Sequence, residues 1–153
     1  MNGTIITLIE KLLDYHMYLE GFYDTLLKSN HIVEDYALKN TALVLKSLEN
    51  KHCVFYKETL ASYSNRDASV SDKILSEVDF NLINLKQSLN SYGIVNAKQM
   101  IANAIDCENK QIFLLSKITD MLEIEGQDEG VVIIMRLLKK EEENNLELLQ
   151  PFI

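Results

Sequence analysis

The sequence predicts an all-α chain: four long amphipathic helices, paired as two antiparallel hairpins that a long crossover joins. Three observations predict it. The 153 residues include one Pro and five Gly, too few for the turn every 8–12 residues or so that an all-β sandwich needs. Four stretches repeat apolar residues at spacings of three and four, the period of a helix with one buried face. Two of the joins between these stretches are short, and one runs to about thirty residues, too long to lie without structure of its own.

The first helix is expected over residues 4–28, with Ile9, Leu13, His16, Glu20, Tyr23 and Leu27 on one face. A join through Ser29, Asn30 and His31 leads to the second, over residues 33–63, where Leu38, Ala42, Leu45, Glu49, His52 and Tyr56 share a face. Joins this short make antiparallel neighbours. The crossover covers residues 64–95. It opens with the polar run SNRDASVSD and continues with Ile74, Leu75, Val78, Leu82 and Leu85, so one or two short helices are expected there, with Ser71 as a cap. The third long helix spans residues 97–123 behind Asn96 as N-cap, and aligns Ile101, Ile105, Glu108, Ile112 and Leu115. A turn at Gly126 leads to the fourth, residues 128–149, carrying Met135, Leu138, Glu142, Asn145 and Leu149 before Pro151 stops it. The whole, 1–153, makes one domain by length.

Charge and composition narrow the function. Hydrophobic residues at 47% are too many for a disordered chain. A net charge of −8 leaves no basic stripe for a nucleic-acid backbone. The start has no basic n-region, and Glu10, Lys11 and Asp14 interrupt its apolar residues, so neither a signal peptide nor a membrane span is expected and the chain reads as cytoplasmic. Cys53 and Cys107 form no CxxC pair, which excludes a zinc knuckle or a rubredoxin-type iron site.

What interrupts the apolar faces carries the chemistry. Each long helix places a metal-capable polar residue where a core residue belongs: His16 and Glu20 on the first, Glu49 and His52 on the second, Glu108 on the third, Glu142 and Asn145 on the fourth. Residues at i and i+3 share a helix face, so an E-x-x-H can offer both side chains to one ion. The arrangement also repeats. His16 to Glu49 spans 33 positions and Glu108 to Glu142 spans 34, so the two hairpins align as half-repeats. Carboxylates turned into one core need a cation, a proton or water, and clustered carboxylates raise one another's pKa, so protonation is the alternative to metal.

The segments YHMYLEGFYDTLL, LKSLENKHCVFYKETL, AIDCENKQIFLLSKI and RLLKKEEENNLELL resemble the rubrerythrin-like branch of the ferritin-like superfamily. They resemble its helix-one carboxylate segment, first E-x-x-H, third-helix Glu and final E-x-x-H. The resemblance covers nearly the whole chain, the crossover matching in length and character only. It implies a ferritin-like bundle with a di-iron site on His16, Glu49, His52, Glu108, Glu142 and Asn145. Two positions depart from the pattern: position 16 holds His where the family has Glu, and position 145 holds Asn where it has His. Glu20, one turn from His16, can replace the missing carboxylate, and His16 the missing imidazole. Asn is a neutral and poorer ligand for transition metals. The half on the first two helices, His16, Glu20, Glu49 and His52, is therefore expected to be the better site, mononuclear or asymmetric.

The resemblance implies iron, with zinc or manganese as alternatives, and peroxide or dioxygen reduction with electrons from a separate donor protein. The competing readings are a degenerate module without metal or redox activity, acting in structure or binding, and a divalent-metal carrier. A homodimer is expected by resemblance, through an outer row of Leu12, Leu19 and Leu26. Tyr15, Tyr18, Tyr23 and Tyr56 are expected to pack, with Tyr23 and Tyr56 nearest the site. Cys53 and Cys107 are expected to be buried thiols, Met17, Met100, Met121 and Met135 core residues, Glu141 and Glu143 solvated, and His31 an exposed turn residue.

Overall fold

The computed structural model describes residues 3–29, 34–62, 68–89 and 94–152. It is all-helical but for one two-residue strand pair. Among the described residues there are five α-helices: α1 (Ile5–Leu27), α2 (Tyr36–Ser62), α3 (Asp72–Ser88), α4 (Ala97–Ile124) and α5 (Glu129–Leu149). Expected positions Asn30, His31, Val33, Tyr63 and Ser64 to Asp67 lie outside the described residues.

Each helix starts where a short polar side chain can take up a free backbone N–H. Thr4 caps α1 in a capping box with Thr7, and Asp35 accepts from the Leu38 N–H at 3.1 Å. Ser71 accepts from Ile74 at 3.3 Å, Asn96 from Gln99 at 2.8 Å, and Asp128 from Gly130 at 2.7 Å. Between α4 and α5, Gly126 adopts a φ of +69°. That left-handed turn is open to glycine at no steric cost, and it lets α5 start three residues later.

Among the described residues the crossover holds one helix, α3. Its stripe of Ile74, Leu75, Val78, Leu82 and Leu85 is buried against α1 and α4. Exposed ion pairs Lys11–Asp79 and Lys86–Asp14, both 2.8 Å, flank it, and pairs of that kind add little beside the apolar contact. Nothing in the periodicity announces the strand pair. Gly3–Thr4 (β1) runs antiparallel to Ser69–Val70 (β2), with Gly3 opposite Val70 and Thr4 opposite Ser69. The pairing ties the start of α1 to the crossover. Gly3 fits because a Cβ there would lie 2.5 Å from Leu75 Cδ1.

α1 packs along α2, and α4 along α5, while α2 touches both α4 and α5. The interior holds two apolar clusters. The larger gathers Ile5 to Leu19 of α1, Cys53 and Tyr56 of α2, the α3 stripe, Leu114 to Leu122 of α4 and Val131 to Leu138 of α5. The smaller gathers Tyr23 and Leu26, Leu38 to Leu45, Ile94, Met100, Ala104 and Leu149. On α2, α4 and α5, Glu49 and His52, Glu108 and Gln111, and Glu142 and Asn145 fall between the positions given to one cluster and those given to the other. On α1, His16 sits near that same boundary. A polar layer thus divides the core.

Two expectations about faces are corrected. Leu12, Leu19 and Leu26 are buried inside the chain and form no outer row, because the interior stripe of α1 is wide enough to include them. Met17 is 51% exposed and Tyr18 is 44% exposed, with the Lys86 ammonium 5.1 Å above the Tyr18 ring. Met100 and Met135 are core, and Met121 packs at its edge. Among the described residues no helix is long and apolar enough to cross a membrane.

Candidate metal centre

The polar layer is built from α1, α2, α4 and α5, one turn or less from each. Periodicity turns His16 of α1 inward beside Leu12, Leu13 and Leu19. Glu49 and His52 take the next inward positions of α2 after Leu45, Glu108 follows Ala104 on α4, and Glu142 follows Leu138 on α5. All are buried, His52 and Glu142 completely. Packing selects Glu142 out of the Glu141–Glu143 run, and leaves its two neighbours half-buried at the margin of the face.

His16 is the hub. Its Nδ1 donates to Glu49 Oε2 at 2.8 Å and its Nε2 lies 2.7 Å from Glu142 Oε1. The imidazole thus spans a carboxylate from α2 and one from α5. Burial by itself would pull its pKa down, but the charge and hydrogen bond of Glu142, with those of Glu49, outweigh it and hold the ring up at about 10. The same bonds act on the acids. Burial pushes both up, yet His16 and His52 bring Glu49 below the ordinary carboxylate range, and the charges of His16 and His52 bring Glu142 well below it. At neutral pH the group is an imidazolium between two carboxylates.

His52 completes the centre. Its Nδ1 lies 3.2 Å from His16 Nδ1, and 3.5 Å from both Glu49 Oε2 and Glu142 Oε2. The two rings meet edge to face, centroids 4.7 Å apart. Tyr56 donates its hydroxyl to Glu142 Oε1 at 3.0 Å, so it belongs to the site as well as to the packing. Burial and then that carboxylate's charge push the Tyr56 pKa well up, so it stays a donor.

The α4 and α5 side is different. Burial first, then the charge of Glu142, push Glu108 well above the carboxylate range and favour its neutral form. Glu108 Oε2, Glu142 Oε2, His52 Nε2, Asn145 Nδ2 and Gln111 Nε2 are buried with no hydrogen-bond partner. Buried polar groups are rarely left so, and such orphans ask for an ion, a proton or a water. Among the described residues two trios have ligand atoms within 4.8 Å of one another: His16, His52 and Glu142, and Glu49, His52 and Glu108. Both draw on His52, so these residues supply one complete trio at a time. Imidazole nitrogen with carboxylate oxygen suits iron, manganese or zinc.

Six of the seven expected residues, His16, Glu49, His52, Glu108, Glu142 and Asn145, therefore lie in the buried layer. Glu20 does not join them. It is half-buried in an outer groove, accepts from Asn50 Nδ2 at 3.3 Å, and belongs to neither trio. A full turn from His16 carries it past the end of the cluster. One residue escaped the sequence pattern, and another, Tyr15, packs as expected but with an open hydroxyl. Gln111 was masked by Ile112, but α4 turns Met100, Ala104, Cys107 and Gln111 inward and leaves Ile101, Ile105 and Ile112 half-buried. The signal was present as Glu108–Gln111, an E-x-x-Q with the spacing of Glu49–His52 and Glu142–Asn145. Tyr15 is buried with its hydroxyl beside the Cys107 thiol and no hydrogen bond of ordinary geometry. Cys53 and Cys107 are free, buried thiols, and burial pushes each up to about 11. No protein-family model, no curated protein and no solved structure matches this chain.

Proposed function

We propose that this chain is a ferritin-like, metal-binding protein of rubrerythrin-like kind whose buried layer holds one divalent ion per chain, iron before manganese or zinc. The observation that carries it is the trio Glu49, His52 and Glu108, with ligand atoms within 4.8 Å of one another and Glu108 Oε2 unsatisfied. Glu142 Oε2, also unpartnered, stands next to this trio through His52 and would add a fourth oxygen. The fold supports the reading: α1 with α2 and α4 with α5 make two hairpins, and α3 provides the long connection of such a bundle. Bound iron would supply electron transfer to peroxide or dioxygen, drawing on a separate donor protein. The chain's own part is to hold the ion dry, to keep Glu49 and Glu142 ionised through His16, and to keep Tyr56 protonated beside Glu142. Pairing as a homodimer in the cytoplasm belongs to the same proposal, with light scattering as its test, and the buried row Leu12, Leu19 and Leu26 is not its face.

One observation favours a second reading, a metal-free binding or structural module. His16 already places a positive charge between two carboxylates, which is part of what an ion would do there. Metal per chain separates the two. Protein purified anaerobically without chelator is expected to carry about one ion per chain by elemental mass spectrometry, and a hundredfold excess of metal over its Kd to stabilise the fold by about 2.7 kcal/mol. No bound metal after soaking with iron, manganese and zinc, with an unmoved melting temperature, gives the second reading. Asn145→His restores an imidazole on α5 and is expected to raise the stoichiometry above one. An unchanged count would refute the account of a damaged second half.

A further inference from the structure

Beside the polar layer, between α1, α2, α3 and α4, lies a small pocket distinct from either ligand trio. Its polar wall is Tyr15 and Gln111, with His16 at the border of the cluster. Its apolar wall includes Leu12, Leu115 and, from the crossover helix, Leu82. Each of these residues is buried. The volume open to the centre of a water-sized sphere is about 10 Å³, at the lower limit for one enclosed water.

Two hydrogen-bond donors line this space without a partner. Gln111 is 5% exposed and its Nε2 bonds to nothing, and Tyr15 is 1% exposed with its hydroxyl beside only a weakly accepting thiol. Burial, before any neighbouring charge, keeps the Tyr15 phenol protonated. A buried amide and hydroxyl left open are costly unless something accepts from them. What accepts must be small, because the leucines leave no room for a carbon skeleton. It must also be uncharged, because Glu49 and Glu142, the carboxylates bound to His16, repel an anion.

We infer that the pocket formed by Tyr15, Gln111 and Leu82 beside His16 binds one neutral hydrogen-bond acceptor of water size, with the Gln111 amide and the Tyr15 hydroxyl as its donors. Water is the ligand that fits. Gln111 stands one turn beyond Glu108 on the same face of α4, so the bound molecule sits next to the layer proposed to hold metal. Occupancy needs no ion, and the site stands apart from that proposal.

The test uses the metal-free protein. A crystal structure at atomic resolution is expected to contain one ordered water within hydrogen-bond reach of both Gln111 Nε2 and Tyr15 Oη. Gln111→Leu is expected to lose the water peak while keeping helical circular dichroism. Leu82→Phe, which fills the pocket from α3 outside the cluster, is expected to do the same should the first variant fail to fold. A wild-type pocket empty of water, or Tyr15 and Gln111 bonded to each other across a closed space, overturns the inference. Neither result depends on metal, so an empty pocket beside a loaded centre, or a filled pocket in a protein that binds no metal, tells the two proposals apart.

Discussion

The α1–α2 side and the α4–α5 side of the polar layer have nearly the same makeup, and they differ in what is left over. On the first, both ring nitrogens of His16 are engaged and Glu49 is bonded. On the second, Glu108, Gln111, Glu142 and Asn145 each keep an unpartnered atom. The difference comes from one residue. Histidine at position 16 brings a proton-held positive charge where a carboxylate would have demanded a metal, and it satisfies its neighbours from within. Ligand-rich is thus not the same as ligand-ready: the carboxylate oxygens bound to His16 are already paired, while the open atoms of the layer are His52 Nε2 and those of Glu108, Gln111, Asn145 and Glu142 Oε2. Internal pairing of this kind stabilises the layer without an ion and leaves His52 Nε2 and the Oε2 atoms of Glu108 and Glu142 free to take one.

The largest effect expected from breaking this asymmetry is that of His16→Glu. The change removes the bridging cation and adds a fourth buried carboxylate. The metal-free protein should lose more than the roughly 3–5 kcal/mol of a broken buried pair, read as a urea midpoint, and two ions per chain should restore it. A variant as stable as wild type without metal would show that His16 does not hold the layer together.

Next in size is the contrast between the two acids of opposite state. Glu142→Gln removes a charge paired to His16, and about 3–5 kcal/mol should go with it. Glu108→Gln replaces a neutral acid by a neutral amide, so metal-free stability should change by less than about 1 kcal/mol. Metal binding should nonetheless be lost, by calorimetry. Equal destabilisation by the two changes would erase the proposed difference between the sides.

The pH profile sharpens the same point. His16 has its folded pKa raised, to about 10 from 6.5, so its contribution is full below pH 6.5 and is lost as pH rises through 10. Glu108, also raised, adds a loss of the same sign that starts from the ordinary carboxylate range. Glu49 and Glu142 are lowered, and their contribution is lost only in acid. The melting temperature of metal-free protein should therefore fall steadily from pH 6.5 to 10. His16→Gln should flatten that part of the slope, and a wild-type melt that is level across the window would contradict the bridge. The smallest effect belongs to Glu20→Gln, outside the layer: stability within about 0.5 kcal/mol of wild type, and an unchanged metal count.

The all-helical class, four of the five helices to within a few residues, and the inward register of His16, Glu49, His52, Glu108, Glu142 and Asn145 were legible in the sequence, because helical periodicity is a local property. An apolar stripe states which face turns inward whatever it packs against. The same rule, followed three residues on from Glu108, would have found Gln111. Periodicity could not say whether an inward residue reaches the centre of a layer. Glu20 shares a face with His16, yet one turn along the axis is about 5 Å, and only the packed neighbours decide that this distance puts it in an outer groove. Nor could it assign Leu12, Leu19 and Leu26, since how much of α1 is covered depends on α3 lying against it.

Which polar atoms are satisfied was decided by tertiary structure alone. His16 Nδ1 meets Glu49 and Nε2 meets Glu142 across 33 and 126 positions of chain. The protonation of all three follows from those distances and from burial. Local sequence sets the face each group turns to; the direction and strength of a charge interaction depend on separation and on exclusion of water, and both exist only once the helices have packed.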